Sequence, residues 1–272
     1  MARRRTLRAL AMLPALTLAV AVTGCVESTT GGGAQGGGEL SLIAPGSLTT
    51  CTHLPYEPFQ FPGEGGKIVG FDVDLVDLVA RDLGVQQKIV DAPFDEGIQS
   101  GESLNSGQCD VAAAAMTITE SRQQNLDFSD PYFDAEQALL VKKGSGITDL
   151  SQLRGKKLGV QVGTTGKDYA EAHKAEFGYE VVDFDDLALQ ENGVQIGKVD
   201  AAINDNGVLY NFAKNNPDTE VTKEFVTGDK YGIGVRKGNT ALLTKVNESL
   251  AKAKQSGEYD RIYEKWFGKK PE

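Results

Sequence analysis

Between residues 72 and 84 the run DVDLVDLVARDLG places apolar side chains at Leu75, Leu78, Val79 and Leu83, the three-and-four spacing of a helix with one face toward a core. Asp72 stands where an N-cap is expected and Gly84 lies just beyond the end. Shorter β-prone runs flank it: SLTTCT (47–52), KIVDA (88–92) and DVAAAAM (110–116), with a helix or loop through GIQSGESLNSG (97–107). The order β-α-β-α-β predicts a parallel sheet.

A second, smaller cycle of the same kind follows. QALLVKKG (137–144), KKLGVQV (156–162), YEVVDF (179–184) and VDAAIND (199–205) read as strands, with helices at TTGKDYAEAHKAEF (164–177) and LALQENGVQIG (187–197). DKYGIGVRKG (229–238) then returns toward the first unit. Helical periodicity resumes at Leu242, Val246, Leu250 and Ala253, and again at Tyr259, Ile262 and Trp266. Two crossings imply two lobes: residues 40–136 plus 236–272 form a discontinuous lobe 1, and 137–235 form lobe 2 with hinge strands at both ends. One continuous sheet without a hinge remains the alternative.

The N-terminus sets the compartment. MARRRTLR carries four arginines and no acid, and ALAMLPALTLAVAV is an apolar core of signal-peptide length, too short for a membrane span. VTGC (22–25) resembles the lipidation signal of bacterial lipoproteins. Residues 1–24 are therefore expected to be a cleaved signal peptide and Cys25 a lipidated first residue, with 25–39 a Gly-rich tether. An ordinary secretory signal with Cys25 incidental is the other reading. Lipidation would anchor the chain to the outer face of the cytoplasmic membrane, on the cell-wall side in a Gram-positive cell and in the periplasm otherwise.

Composition narrows the partners. With 28 Lys+Arg against 38 Asp+Glu and a formal charge of −10, the chain repels nucleic acid and anionic lipid surfaces. GGGAQG (31–36) fits a dinucleotide pattern by letter, but it has no strand before it or helix after it. GTTGKD (163–168) lacks the first glycine and the Ser/Thr that a phosphate-binding loop requires. No nucleotide, metal or other cofactor is expected.

The candidate chemistry gathers at strand ends. In open α/β sheets ligands collect beyond the carboxyl ends of strands, where Ala115, Thr117 and Arg122 fall. An arginine fork matches a carboxylate in two places. The amides near Thr164, Thr165 and Gly166 open a helix, a second anion site. Asp205, ending VDAAIND, offers an acceptor to an ammonium group, so the expected guest is a free α-amino acid. Blander readings stay open: Arg122 as a surface partner of Glu120, Asp205 or the two threonines as caps, Tyr56 and Phe94 as core. His173 is read as a surface helix residue.

PYEPF, GFDVDLVDLVARDLG, AMTITESRQQNLDFSDPYF, GVQVGTTG and VDAAIND together resemble the signature segments of family 3 bacterial solute-binding proteins, from about residue 46 to the C-terminus. The resemblance implies an α/β, two-lobed type II periplasmic-binding fold, each lobe a mostly parallel sheet flanked by helices and joined by a two-strand hinge. It implies a monomeric, non-enzymatic substrate-binding component of an ABC importer that delivers a polar L-amino acid to permease subunits. Carried over by position, Arg122 and the Thr164–Thr165 region hold the α-carboxylate. The Ala115 carbonyl, Thr117 and Asp205 hold the ammonium. Tyr56 and Phe94 wall the side-chain pocket, and His53, Gln161 and Asn204 read its polar end. His53 stands where receptors for cationic amino acids often carry aspartate, which argues against lysine or arginine. The rival reading is a dehydratase-like small-molecule enzyme on the same scaffold, with His53 and Glu57 as acid–base candidates; no serine- or metal-hydrolase signature occurs.

Cys51 and Cys109 are an even pair in an exported chain, which favours a disulfide. Strand register opposes it: an offset of about four residues along extended chain is roughly 13 Å, beyond the reach of a bridge.

Overall fold

The computed structural model describes residues 40–271. The expected signal peptide, Cys25 and tether lie outside the described residues. In chain order the elements are β1 (Ser47–Thr52), β2 (Phe61–Pro62), β3 (Ile68–Val69), α1 (Phe71–Asp82), β4 (Gln86–Asp91), α2 (Glu102–Asn105), β5 (Val111–Ala112), α3 (Glu120–Gln123), β6 (Leu126–Phe128) and β7 (Phe133–Lys142). They continue with β8 (Lys157–Gln161), α4 (Thr165–Phe177), β9 (Glu180–Phe184), α5 (Leu187–Gln195), β10 (Ala201–Asp205), α6 (Asn206–Asn215), β11 (Thr219–Tyr231), β12 (Gly234–Arg236), α7 (Thr240–Ser256) and α8 (Glu258–Phe267).

Two five-stranded sheets divide these elements. The first has the order β4-β1-β5-β12-β6, with β12 antiparallel to both neighbours; the second has the order β11-β7-β10-β8-β9, with β7 antiparallel to both of its own. In each sheet four strands therefore run one way and one runs against them, the outcome expected when β-α-β units are joined by one outgoing and one returning strand. The crossing strands are tied to the first lobe by aromatic packing. Phe133, at the start of β7, stacks on Tyr231, at the end of β11, with ring centroids 5.3 Å apart, and Phe59 meets both edge-on at 5.0 and 5.3 Å. In α1 the predicted stripe is the buried one: Leu75, Leu78 and Val79 face the core, Leu83 packs beside it, and α7 and α8 lie against the same helix. In those helices Leu242, Val246, Leu250, Ala253 and Tyr259 are buried, with Ile262 and Trp266 partly so.

Two sequence expectations are corrected and one open question is resolved. Asp72 does not cap α1, whose N-cap is Gly70; its carboxylate is buried, accepting from the Ala115 N–H (2.7 Å) and the Tyr132 hydroxyl (2.8 Å). DVAAAAM is not one strand: only Val111–Ala112 pair in the sheet, and Ala115 adopts φ +48°. The chain has left the sheet by then, with the Gly232 N–H donating to the Met116 carbonyl and the Ile118 N–H to that of Lys230. Finally, Cys51 and Cys109 are disulfide-bonded, with Cα atoms 5.6 Å apart. The register estimate failed because the chain before β5 is not extended. It doubles back through Gly107 (φ +75°), and the Gln108 and Cys109 N–H groups both donate to Ser103 O.

Candidate functional site

The carboxyl ends of both parallel strand sets point at one cavity between the lobes. From the first lobe come His53 and Tyr56 on the loop after β1, and Phe94 opening the π-helical turn Phe94–Gln99 after β4. Ala115 and Thr117 follow from the segment after β5, and Arg122 from α3. From the second come Gln161 at the end of β8, Thr164 and Thr165 at the start of α4, and Asp205 ending β10. Ten of the eleven sequence-predicted site residues thus line one space. The eleventh, Asn204, sits behind it, donating to Gln190 Oε1 (2.8 Å) and Gln161 Oε1 (3.4 Å). Gln60, which the sequence reading missed, also lines the cavity.

Arg122 is not a surface partner of Glu120. It is 4% exposed, and its Nη1 donates to Thr117 O (2.8 Å) while Nη2 crosses to Gly163 O in the other lobe (2.9 Å). The Phe94 ring lies 5.3 Å from the guanidinium carbon, fixing its plane. Burial pulls the arginine pKa down, opposed chiefly by the charge of Asp205. Gly163 has φ +73°, and a Cβ there would come within 2.6 Å of Asp95 Oδ1, so the carbonyl reaches Arg122 only because this position has no side chain.

Thr164 caps α4 by accepting from Lys167 N–H (3.2 Å) and donating to Gln161 O (2.8 Å). The first-turn amides of Thr165 and Gly166 have no acceptor within the helix. Asp205 occupies the N-cap position of α6 but makes no side-chain cap bond. Its carboxylate instead accepts from Gln137 Nε2 and from the hydroxyls of Tyr231 and Tyr56, the last at 3.2 Å; Tyr56 also donates to Asn204 Oδ1 (2.8 Å). Burial pushes the Asp205 pKa up to about 6, against the pull of the Tyr231 hydroxyl, so the group is ionised at neutral pH. Tyr56 and Arg122 are therefore cross-lobe contacts as well as cavity walls. His173 is half-buried on α4, its ring 4.2 Å from that of Tyr169 and away from the cavity.

Two further buried carboxyls give the fold a measurable pH signature. Asp72 is raised to about 7 by burial, against the Ala115 N–H and Tyr132 hydroxyl, and Glu191 to about 9 by burial and then by Glu57 and Asp186. A folded carboxyl that holds its proton more tightly than the unfolded one takes up a proton on folding. Its contribution is full below the unfolded value, near 4, and is lost as pH rises toward 7 for Asp72 and 9 for Glu191. The melting temperature should fall steadily from pH 5 to 8.5, and Glu191→Gln should stabilise the protein at pH 7 by about 3 kcal/mol while flattening the profile. Differential scanning calorimetry across this range checks it; a profile that rises with pH contradicts it.

The comparisons agree with this geometry. The model of the bacterial extracellular solute-binding proteins, family 3, matches residues 48–269, and the chain belongs to that family. The ABC transporter glutamine-binding protein GlnH of Bacillus subtilis is 39% identical over 210 residues, covering 76% of this chain and 75% of that one. Among solved structures, an ancestral arginine-binding protein bound to glutamine is 44% identical with a TM-score of 0.78, covering 83% of this chain and 100% of the other. An ancestral amino acid-binding protein described as a precursor of cyclohexadienyl dehydratase is 35% identical with a TM-score of 0.75, over 82% and 96% of the two chains.

Proposed function

We propose that this protein is the extracytoplasmic substrate-binding component of an ABC importer for polar amino acids. It takes one free L-amino acid between its lobes and presents the closed form to the permease. The observation that carries this reading is the pairing of Arg122 and Asp205 as the two fixed opposite charges lining a single cavity at the strand ends of two lobes. A zwitterion supplies the complementary pair. Its carboxylate meets the guanidinium and the first-turn amides of α4, and its ammonium meets Asp205, the Ala115 carbonyl and Thr117. Tyr56 and Phe94 wall the side chain, while His53, Gln161 and, behind it, Asn204 supply polar contacts. The name of the Bacillus subtilis relative supports a receptor role.

The lobes are read as 40–136 with 236–272 and as 137–235. β7 and β11 are the hinge, and closure is the signal that the permease reads. The protein works as a monomer, without a cofactor and without catalysing a reaction. Equilibrium dialysis with isotopically labelled amino acids tests this: one molecule should be retained per chain and recovered unchanged. Chemical conversion of the bound amino acid would establish the dehydratase-like alternative instead.

Export and anchoring complete the reading: residues 1–24 as signal peptide, Cys25 as the lipidated residue, and the Gly-rich segment as a tether. Cys25→Ser should move the protein from the membrane fraction to the soluble one while leaving amino acid binding unchanged. Fractionation followed by immunoblotting reads the shift, and unchanged membrane association would remove Cys25 as the anchor.

A further inference from the structure

We infer that the cleft selects an amino acid whose uncharged side chain ends in a carboxamide, and that Gln60 sets this choice. The inference rests on the receptor reading and adds the substrate class. Gln60 is 1% exposed and lines the cavity. Its backbone is fixed opposite Tyr56: the Tyr56 N–H donates to Gln60 O (2.7 Å) and the Gln60 N–H to Tyr56 O (3.1 Å). Its side-chain Nε2 lies 3.4 Å from the His53 carbonyl. A carbonyl only accepts, so this contact fixes the orientation of the amide and leaves Oε1 as the other end. That oxygen is buried and has no hydrogen-bond partner.

His53 repeats the pattern. Its Nδ1 lies 3.1 Å from the Ala92 carbonyl, which can only accept, so Nδ1 carries a proton and, when the ring has one proton, Nε2 is the acceptor. Nε2 is also buried without a partner. Two unsatisfied lone-pair acceptors on neighbouring residues of one cavity call for a guest with two donors, since buried polar atoms are ordinarily paired.

Charge decides among the donors. A carboxylate side chain would bring lone pairs against lone pairs. A guanidinium or ammonium would find acceptors but no counter-charge of its own: Asp205 is the only carboxylate among the described residues lining the cavity, and the guest's α-ammonium group uses it. Enclosing a cation there leaves its desolvation uncompensated. A carboxamide N–H₂ offers two donors and no net charge. Its oxygen can be met by Gln161, whose own Oε1 accepts from Asn204 Nδ2 (3.4 Å), leaving the Gln161 N–H groups to donate.

Isothermal titration of the full-length protein at pH 7.5 with L-glutamine, L-asparagine, L-arginine and L-glutamate tests the assignment. One of the carboxamide amino acids should bind at least about 100-fold more tightly than arginine or glutamate. Gln60→Glu, nearly isosteric, should shift the arginine-to-carboxamide affinity ratio by at least about tenfold toward arginine, because it supplies the missing counter-charge. If arginine or glutamate binds the unaltered protein as tightly as the carboxamides, the specificity assignment fails and the receptor reading stands. If none of the panel nor any other amino acid binds, both fail. A folded Gln60→Glu protein with an unchanged ratio removes Gln60 as the determinant, and the titrations of the unaltered protein decide the substrate class even if that variant does not fold.

Discussion

Arg122→Ala should melt as a folded protein and bind its amino acid more than about 100-fold more weakly, a loss of about 3 kcal/mol or more. A guanidinium has five N–H donors, and the two contacts to Thr117 O and Gly163 O leave the rest for a guest carboxylate. Closing the cavity strips water from that carboxylate, and Arg122 is the only cation fixed in the described lining, so its removal leaves a buried charge unanswered. Arg122→Lys should fall between the two proteins, since an ammonium keeps the charge and loses the planar fork held over Phe94. Titration calorimetry supplies the affinities and a thermal melt the folding control. Unchanged affinity in Arg122→Ala would take the residue out of the binding site.

Reduction of the Cys51–Cys109 bridge should carry the largest stability effect. The two cysteines are 58 residues apart in sequence, and their Sγ atoms belong to a buried cluster with Ile98, Leu104 and Met116. Opening a loop of that length frees the unfolded chain by about 4 kcal/mol on a chain-entropy basis. For a protein of this size that is on the order of a 10 °C drop in melting temperature. Melting with and without reductant, after thiol titration has shown two additional free thiols, reads it directly. Coincident melting curves would show that the bridge contributes nothing.

Local signals carried much of this molecule. The α1 stripe at Leu75, Leu78 and Val79 is set by neighbours three and four residues away. The strand-to-helix passage through Gly163 and Thr164 likewise follows from residues adjacent in sequence. The gathering of candidate residues was readable in part for a related reason: strand ends place Thr164 and Asp205 at the same edge of their sheet whatever the packing behind them, whereas Arg122 reaches the cavity from α3, ten residues beyond β5. What escaped depends on distant partners. Asp72 looks like a cap in DVDLVDLV, and only the Ala115 amide, 43 residues away, makes it a buried brace for a residue at positive φ. Gln60 sits in a loop with no period to mark an inward side, and its orientation comes from Tyr56 and the His53 carbonyl. Glu191 lies in a helix where polar residues suggest solvent, yet packing buries it. The disulfide stayed undecided in sequence because a turn at Gly107, rather than strand register, positions Cys109.

The decisive measurement is a crystal structure of the protein grown with L-glutamine. One molecule should lie in the interlobe cavity with its α-carboxylate on the Arg122 guanidinium and the α4 amides, its ammonium within hydrogen-bond reach of Asp205, and its carboxamide N–H₂ between Gln60 Oε1 and His53 Nε2. A bound amino acid outside this cavity, or one inside it that touches neither Arg122 nor Asp205, would contradict the site.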